Sequence, residues 1–120
     1  MDIEQLRNYV IGKPNVEESF PFGDDTLVFK VNNKIFLLLG LDNQPLQFNV
    51  KCNPDKAIEL REEFPDTVLP GYHMNKKHWN TIYTQGLKRD LLLKLVDHSY
   101  DLVFSSLSKK RREEILTELG

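Results

Sequence analysis

The side chains best suited to chemistry gather in one short stretch of the sequence, residues 70–81. Two histidines, two lysines and two asparagines stand there beside two aromatic residues. Lysine and protonated histidine bind phosphate oxygens, and asparagine adds polar contacts to the same kind of partner. The candidate contacts to a nucleic acid in this stretch are His73, Asn75, Lys76, Lys77, His78 and Asn80.

Two aromatic residues give the same stretch a second possible chemistry. Tyr72 and Trp79 could stack on unpaired bases. The alternative for Trp79 is structural, because a lone tryptophan in a domain of this size usually packs in the core. Side chains alternate along a strand, so Trp79 and Thr81 share the face opposite to Asn80. We expect Trp79 to be a core residue.

A second basic run stands near the C-terminus, at the predicted start of a short helix after Ser108. Cations at the positive end of a helix dipole are unfavourable by roughly a few tenths of a kcal/mol. This placement indicates an anionic partner such as phosphate. The alternative is a solvated face whose charge is neutralised by Glu113 and Glu114. The run consists of Lys109, Lys110, Arg111 and Arg112.

The distribution of charge supports a basic surface on an acidic protein. The net charge is −2. Residues 1–66 carry a balance of −5, whereas residues 67–120 carry a balance of +3. A local basic face matters more to an anionic partner than the total charge does.

Other chemistries lack the residues they need. The sequence has no glycine-rich phosphate loop, no nucleophile elbow and no His-Glu-x-x-His motif. Cys52 would fall on the polar face of its strand, and no general base stands near it in sequence. A zinc set of Cys52, His73, His78 and His98 matches no finger or ribbon spacing. We therefore expect no catalytic residues, no metal and no cofactor.

The composition predicts one compact domain over residues 1–120. Of these 120 residues, 40% are hydrophobic and 28% are charged, which is ordinary for a globular protein. The longest apolar run, residues 35–39, is far shorter than the ~20 residues that cross a bilayer. A single cysteine fits a reducing compartment. We expect a cytoplasmic monomer with no membrane contact.

The elements that position these residues follow from hydrophobic periodicity and capping signals. Asp2 with Gln5 predicts a capping box for a first helix, and Asn53 before Pro54 opens a second. A long helix and a short one are predicted at the C-terminus. The predicted strands cover residues 16–22, 27–31, 35–41, 46–51, 67–69 and 78–83. Connections this short exclude crossovers, so we expect an α+β fold, an antiparallel sheet with its helices packed on one face.

Several blocks of the sequence, in this order, resemble the MmcQ/YjbR family. They are LVFKV at 27–31 with KIF at 34–36, NVKCNP at 49–54, PGYHMNKKHWNT at 70–81 and DHSY at 97–100. The resemblance spans most of residues 1–110 and implies a frataxin-like (CyaY-like) sandwich. It also implies DNA binding, since the family is commonly described as DNA-binding with a double-wing arrangement of sheet and amphipathic helices.

These observations lead to two expectations about function. The first is a small non-enzymatic module that binds nucleic acid, DNA in particular, weakly and electrostatically through its basic C-terminal half. The alternative is an adaptor that binds another protein or handles a metal with the sheet face, as frataxins do. Nucleic-acid binding predicts that one face gathers Lys76, Lys77, Lys88, Arg89 and residues 109–112, and the adaptor predicts their dispersal.

Overall fold

The computed structural model of the chain describes residues 1–71 and 74–119. In these residues a single antiparallel sheet of six strands is accompanied by four α-helices and one 3₁₀ turn, Thr84–Gly86. The helices are α1 (Ile3–Ile11), α2 (Pro54–Glu63), α3 (Arg89–Ser105) and α4 (Lys109–Leu119). The strands are β1 (Val16–Ser19), β2 (Thr26–Val31), β3 (Lys34–Gly40), β4 (Gln47–Lys51), β5 (Val68–Pro70) and β6 (Trp79–Tyr83). The predicted α+β class is confirmed.

The strand order across the sheet is β1-β2-β3-β4-β6-β5, and every neighbouring pair is antiparallel. Strands β1 to β4 form the predicted meander. The turn between β2 and β3 is made by Asn32 and Asn33, which have φ values of 50° and 64°. Asparagine tolerates this left-handed region, so the pair can form the tight turn that a hairpin needs.

Local sequence signals determine where the first two helices begin. The Asp2 carboxylate accepts a hydrogen bond from the Gln5 amide at 2.8 Å, and the Asp2 amide donates to the Gln5 side chain at 3.1 Å. Asn53 Oδ1 accepts from the amides of Asp55 at 3.0 Å and Lys56 at 3.3 Å. Both predicted caps are confirmed. Each cap satisfies backbone amides that have no hydrogen-bond partner inside the helix.

The main core lies between one face of the sheet and helices α1, α2 and α3. Side chains alternate along each strand, so one face supplies the apolar set. Its sheet members include Leu27, Phe29, Leu37, Leu39, Phe48, Val50 and Ile82. Its helical members include Leu6, Val10, Ala57, Leu60, Leu92, Val96, Tyr100 and Val103. Helices α1, α2 and α3 therefore pack on one face of the sheet, as predicted.

The last helix is attached at the turn between β2 and β3. Arg111 Nε donates to Asn32 Oδ1 at 2.9 Å, and Lys34 Nζ donates to Ser106 Oγ at 3.3 Å. Ile115 is 1% exposed but lies outside the main core cluster. These contacts connect the α3–α4 junction with the start of β3.

Two sequence expectations about burial are wrong. Trp79 is only half-buried and lies outside the core cluster. Side chains alternate along β6, and the next residue, Asn80, occupies the buried face. Cys52 is 3% exposed and belongs to the core. Cys52 follows Val50 by two residues and therefore continues the buried face of Phe48 and Val50, not the polar face that was expected. Burial raises the pKa of the Cys52 thiol.

Within the residues described, no helix combines the length and the apolar character that a membrane crossing requires.

Candidate functional site

The strand register brings several lysines to one end of the sheet. Val31 pairs with Lys34 across the β2–β3 turn, and Lys51 at the end of β4 pairs with Trp79 at the start of β6. Because neighbouring strands are antiparallel, this turn, the end of β4 and the β5–β6 loop share one end. The Arg111–Asn32 bond places the first turn of α4 there as well. We call this the basic end and define it by Lys34, Lys51, Lys76, Lys77, Lys109 and Lys110.

The loop that carries Lys76 and Lys77 is held by backbone hydrogen bonds. Asn75 Oδ1 accepts from the Lys77 amide at 3.0 Å. The Asn75 carbonyl accepts from the amides of His78 at 3.1 Å and Trp79 at 3.0 Å. Asn75 therefore shapes the loop, and it leaves the side chains of Lys76 and Lys77 exposed to solvent.

Arg61 of α2 holds the same loop through hydrogen bonds. Its guanidinium donates to the carbonyls of Lys76 and Trp79, the latter at 3.3 Å, and its Nε donates to Asn80 Oδ1 at 2.7 Å. Asn80 is 1% exposed and pairs with Val50 in the sheet. The expectation that Asn80 contacts a nucleic acid is wrong, because its side chain lies on the core face. Sequence reasoning also missed Arg61, which lies far from the loop along the chain.

The three histidines take different positions. His73 lies outside the described residues. His78 is half-buried, lines a cavity of about 260 Å³ beside the start of α2, and accepts through its carbonyl from the Cys52 amide at 2.8 Å. His98 Nε2 accepts from the Asn53 amide at 3.1 Å, and burial together with nearby Lys56 lowers the pKa of His98. An imidazole that accepts this bond must be neutral.

The basic run at the start of α4 is divided between exposed lysines and a bound arginine. Ser108 Oγ accepts from the Arg111 amide at 3.1 Å and so begins the helix, as predicted. The Arg111 guanidinium contacts Asn32 and forms an ion pair with Glu114 at 3.2 Å. Arg111 thus has structural partners, while Lys109 and Lys110 are exposed. Arg112 is half-buried.

The predicted clustering of cations holds for Lys76, Lys77, Lys109 and Lys110, but it fails for Lys88 and Arg89. Lys88 and Arg89 begin α3, which follows the far end of β6, so they lie opposite to the basic end. The loops at that opposite end carry Asp24, Asp25 and Asp42. The two ends of the sheet therefore differ in charge, because lysines gather at the basic end while the opposite end mixes two cations with three aspartates.

The site-forming lysines Lys34 and Lys51 were missed because nothing local marks them. Only strand pairing brings them to the same end of the sheet as Lys76. Among residues 1–71 and 74–119, no group of three or more His, Cys, Asp or Glu side chains is placed to hold a metal ion.

Residues 11–102 match the family model described as YjbR. The chain belongs to the YjbR family. The protein YbdF from Escherichia coli O157:H7 is 35% identical over 114 residues, covering 93% of this chain and 92% of YbdF. YjbR from Escherichia coli strain K12 is 32% identical over 115 residues, covering 94% of this chain and 96% of YjbR.

Solved structures extend the YjbR-family likeness to the fold. The crystal structure of Deinococcus radiodurans protein DR2400, described as a DUF419 domain, matches with a TM-score of 0.90 at 37% identity. The match covers 94% of this chain and 86% of DR2400. A Pseudomonas syringae protein matches with a TM-score of 0.69 at 26% identity, covering 86% of this chain and 99% of that protein.

Proposed function

We propose that this YjbR-family chain is a non-catalytic module that binds nucleic acid by contacting phosphates with its basic end. One observation carries the proposal: strand pairing and the Arg111–Asn32 bond gather at one end of the sheet lysines of β3, β4, the β5–β6 loop and α4 that are scattered along the sequence. Lysines attract phosphates as point charges, and each phosphate they neutralise releases counterions. The opposite end, where three aspartates accompany Lys88 and Arg89, attracts phosphates less, so the lysines of the basic end approach first.

The dimensions of the basic end indicate how strong this binding is. Neighbouring strands lie about 4.8 Å apart, so β3 and β6 are separated by about 10 Å. Phosphates repeat about every 3.4 Å along the axis of one DNA strand. With the loops on either side, the basic end can neutralise about four phosphates. Binding of this size is weak, depends strongly on salt and discriminates little between sequences.

A titration with charge-matched variants tests the proposal. Fluorescence anisotropy of duplex and single-stranded oligonucleotides is followed at two salt concentrations with Lys76→Ala/Lys77→Ala. The matched control is Lys88→Ala/Arg89→Ala, which removes the same two charges at the opposite end. We expect the first variant to lose about tenfold or more in affinity for all sequences alike, because two phosphate contacts are removed. Equal losses in both variants would show that only net charge matters and would contradict the site.

The second candidate is an adaptor that binds a protein, and exposed aromatic residues favour it. Phe20 and Phe22, in the loop between β1 and β2, are 49% and 64% exposed. Exposed aromatic residues are enriched at protein interfaces. If neither duplex nor single strand binds at low salt, this loop becomes the surface to test, and Phe20→Ser/Phe22→Ser should abolish capture of the partner.

A further inference from the structure

The face of the sheet opposite to the main core holds a cavity of about 770 Å³. Its floor is formed by β2, β3, β4 and β6, at positions that alternate with core residues. Leu38, Asn49 and Thr81 lie side by side there, since Leu38 pairs with Asn49 and Asn49 pairs with Thr81. A cavity of this size falls in the range of about 300–1,000 Å³ that small-molecule sites occupy.

The cavity has apolar walls and a polar floor. Ile35, Leu38 and Met74 supply apolar surface, while Gln47 and Asn49 supply side-chain amides. This is the usual composition of a small-molecule site, in which apolar contact gives affinity and a few polar groups set orientation.

A hydrogen bond from Thr81 orients the side-chain amide of Asn49. Thr81 Oγ1 donates to Asn49 Oδ1 at 2.5 Å. The bond identifies Nδ2 as the donor end of Asn49. Side-chain amides of asparagine and glutamine form paired hydrogen bonds with the donor–acceptor edges of heterocyclic rings. Asn49 and Gln47 together offer two such groups in one cavity.

The charges among the described residues that line the cavity disfavour an anionic ligand. None of these residues is lysine, arginine or histidine, and Asp25 lies among them. A phosphate or carboxylate group would be repelled by the Asp25 carboxylate and would find no cation among these residues. They therefore suit a ligand that carries no negative charge.

The rim of the cavity carries an exposed aromatic ring. Phe22 lines the cavity and is 64% exposed. It is followed by Gly23, whose φ of 116° suits glycine. This turn places the Phe22 ring beside the opening, where its face can stack on a planar ligand.

We propose that this cavity binds an uncharged heteroaromatic molecule of the nucleoside type. Its ring stacks on Phe22, and its hydrogen-bonding edge meets the amides of Asn49 and Gln47. The proposal does not depend on the nucleic-acid function, because none of the lysines of the basic end lines the cavity.

Isothermal titration calorimetry with adenosine, guanosine, cytidine and uridine tests the proposal, with the matching 5′-monophosphates alongside. At least one nucleoside should bind with a submillimolar Kd, and its monophosphate should bind at least fivefold more weakly because of Asp25. Phe22→Ala should weaken nucleoside binding by about fivefold or more, the loss expected for one stacking contact. Asn49→Ala should weaken it as well. The matched control is Ile58→Ala, which removes a 51% exposed side chain from α2, away from the cavity, and should leave the Kd unchanged.

Several outcomes would overturn this assignment. They are no heat of binding from any of the four nucleosides at millimolar concentration, monophosphates that bind as tightly as nucleosides, and an unchanged Kd in Phe22→Ala. Phe22 is exposed, so its replacement does not threaten folding and its result stands even if Asn49→Ala unfolds. If Phe22→Ala lowers oligonucleotide affinity while no free nucleoside binds, the site belongs to a nucleic-acid strand and this proposal is wrong.

Discussion

Arg61 Nε donates a hydrogen bond to Asn80 Oδ1 over 2.7 Å, and this bond joins α2 to β6. The same guanidinium donates to the carbonyls of Lys76 and Trp79. The Asn80 side-chain Nδ2 has no hydrogen-bond partner among the residues described. Arg61 therefore satisfies the oxygen of this buried amide. One arginine thereby holds the loop that presents Lys76 and Lys77.

We predict that Arg61→Ala lowers the free energy of unfolding by about 2 kcal/mol. The change removes charge-assisted hydrogen bonds and leaves Asn80 Oδ1 buried without a donor. Urea denaturation measures the effect, with Glu62→Ala, an exposed neighbour on the same helix, as the control. Glu62→Ala should change the free energy by less than about 0.5 kcal/mol. An equal effect of the two substitutions would mean that the arginine bonds contribute nothing.

The salt dependence of oligonucleotide binding should report the number of phosphates contacted. About four contacts give a log–log slope of about −3.6, and Lys76→Ala/Lys77→Ala should flatten it by about 2. Anisotropy titrations over a series of salt concentrations measure the slope. The double substitution should lower stability by less than ~1 kcal/mol, because exposed lysines contribute little. Unchanged binding with a large fall in Tm would instead make these lysines structural.

Ser99→Ala should destabilise the fold, although the substitution removes only the hydroxyl oxygen. Ser99 is fully buried, donates to the Phe36 carbonyl at 2.5 Å and accepts from the Lys51 amide at 2.8 Å. Alanine would leave both backbone groups buried and unpaired, at a cost of about 2 kcal/mol or more. Thermal denaturation compares it with Ser105→Ala, an exposed serine of the same helix. Similar Tm values for the two variants would refute the role of Ser99.

Gly86→Ala should destabilise the protein by overpacking. A Cβ at residue 86 would lie 2.1 Å from Thr67 Oγ1 and 3.0 Å from Thr67 Cβ. The Thr67 Cβ atom cannot rotate away, so the backbone must shift, at a cost of about 1–3 kcal/mol. Gly12→Ala is the matched control, since its Cβ would come no closer than 3.4 Å to its neighbours. Partial rescue of Gly86→Ala by Thr67→Ala would identify the clash as the cause.

Stability should fall in mild acid because of His98. Burial and Lys56 lower the pKa of His98 below its ordinary value of 6.5. The unfolded chain therefore binds a proton at a higher pH than the folded one, and the free energy of unfolding decreases as the pH falls below about 6.5. Protonation of Nε2 also ends the bond from the Asn53 amide. Urea denaturation between pH 7 and pH 5.5 should show a flatter profile for His98→Gln than for His78→Gln.

The local sequence was sufficient to predict the caps, the helical stripes and the hairpin meander. Asp2 and Gln5 lie three residues apart, and the buried residues of α3 recur at steps of three and four, as at Leu92, Val96 and Tyr100. Interactions over such short distances along the chain depend little on the rest of the fold. The sequence alone therefore determined the α+β class and the approximate position of each strand.

The tertiary structure alone decided which side chains share a surface. Asn80 became a buried acceptor, and Lys76 came to the same end of the sheet as Lys34 and Lys51, because β6 was inserted between β4 and β5 in one register. A shift of one residue in that register would reverse every side chain of β6 between core and solvent. Register results from the packing of all strands and helices together, so no short segment encodes it. The basic end and the cavity on the opposite face are products of that long-range choice.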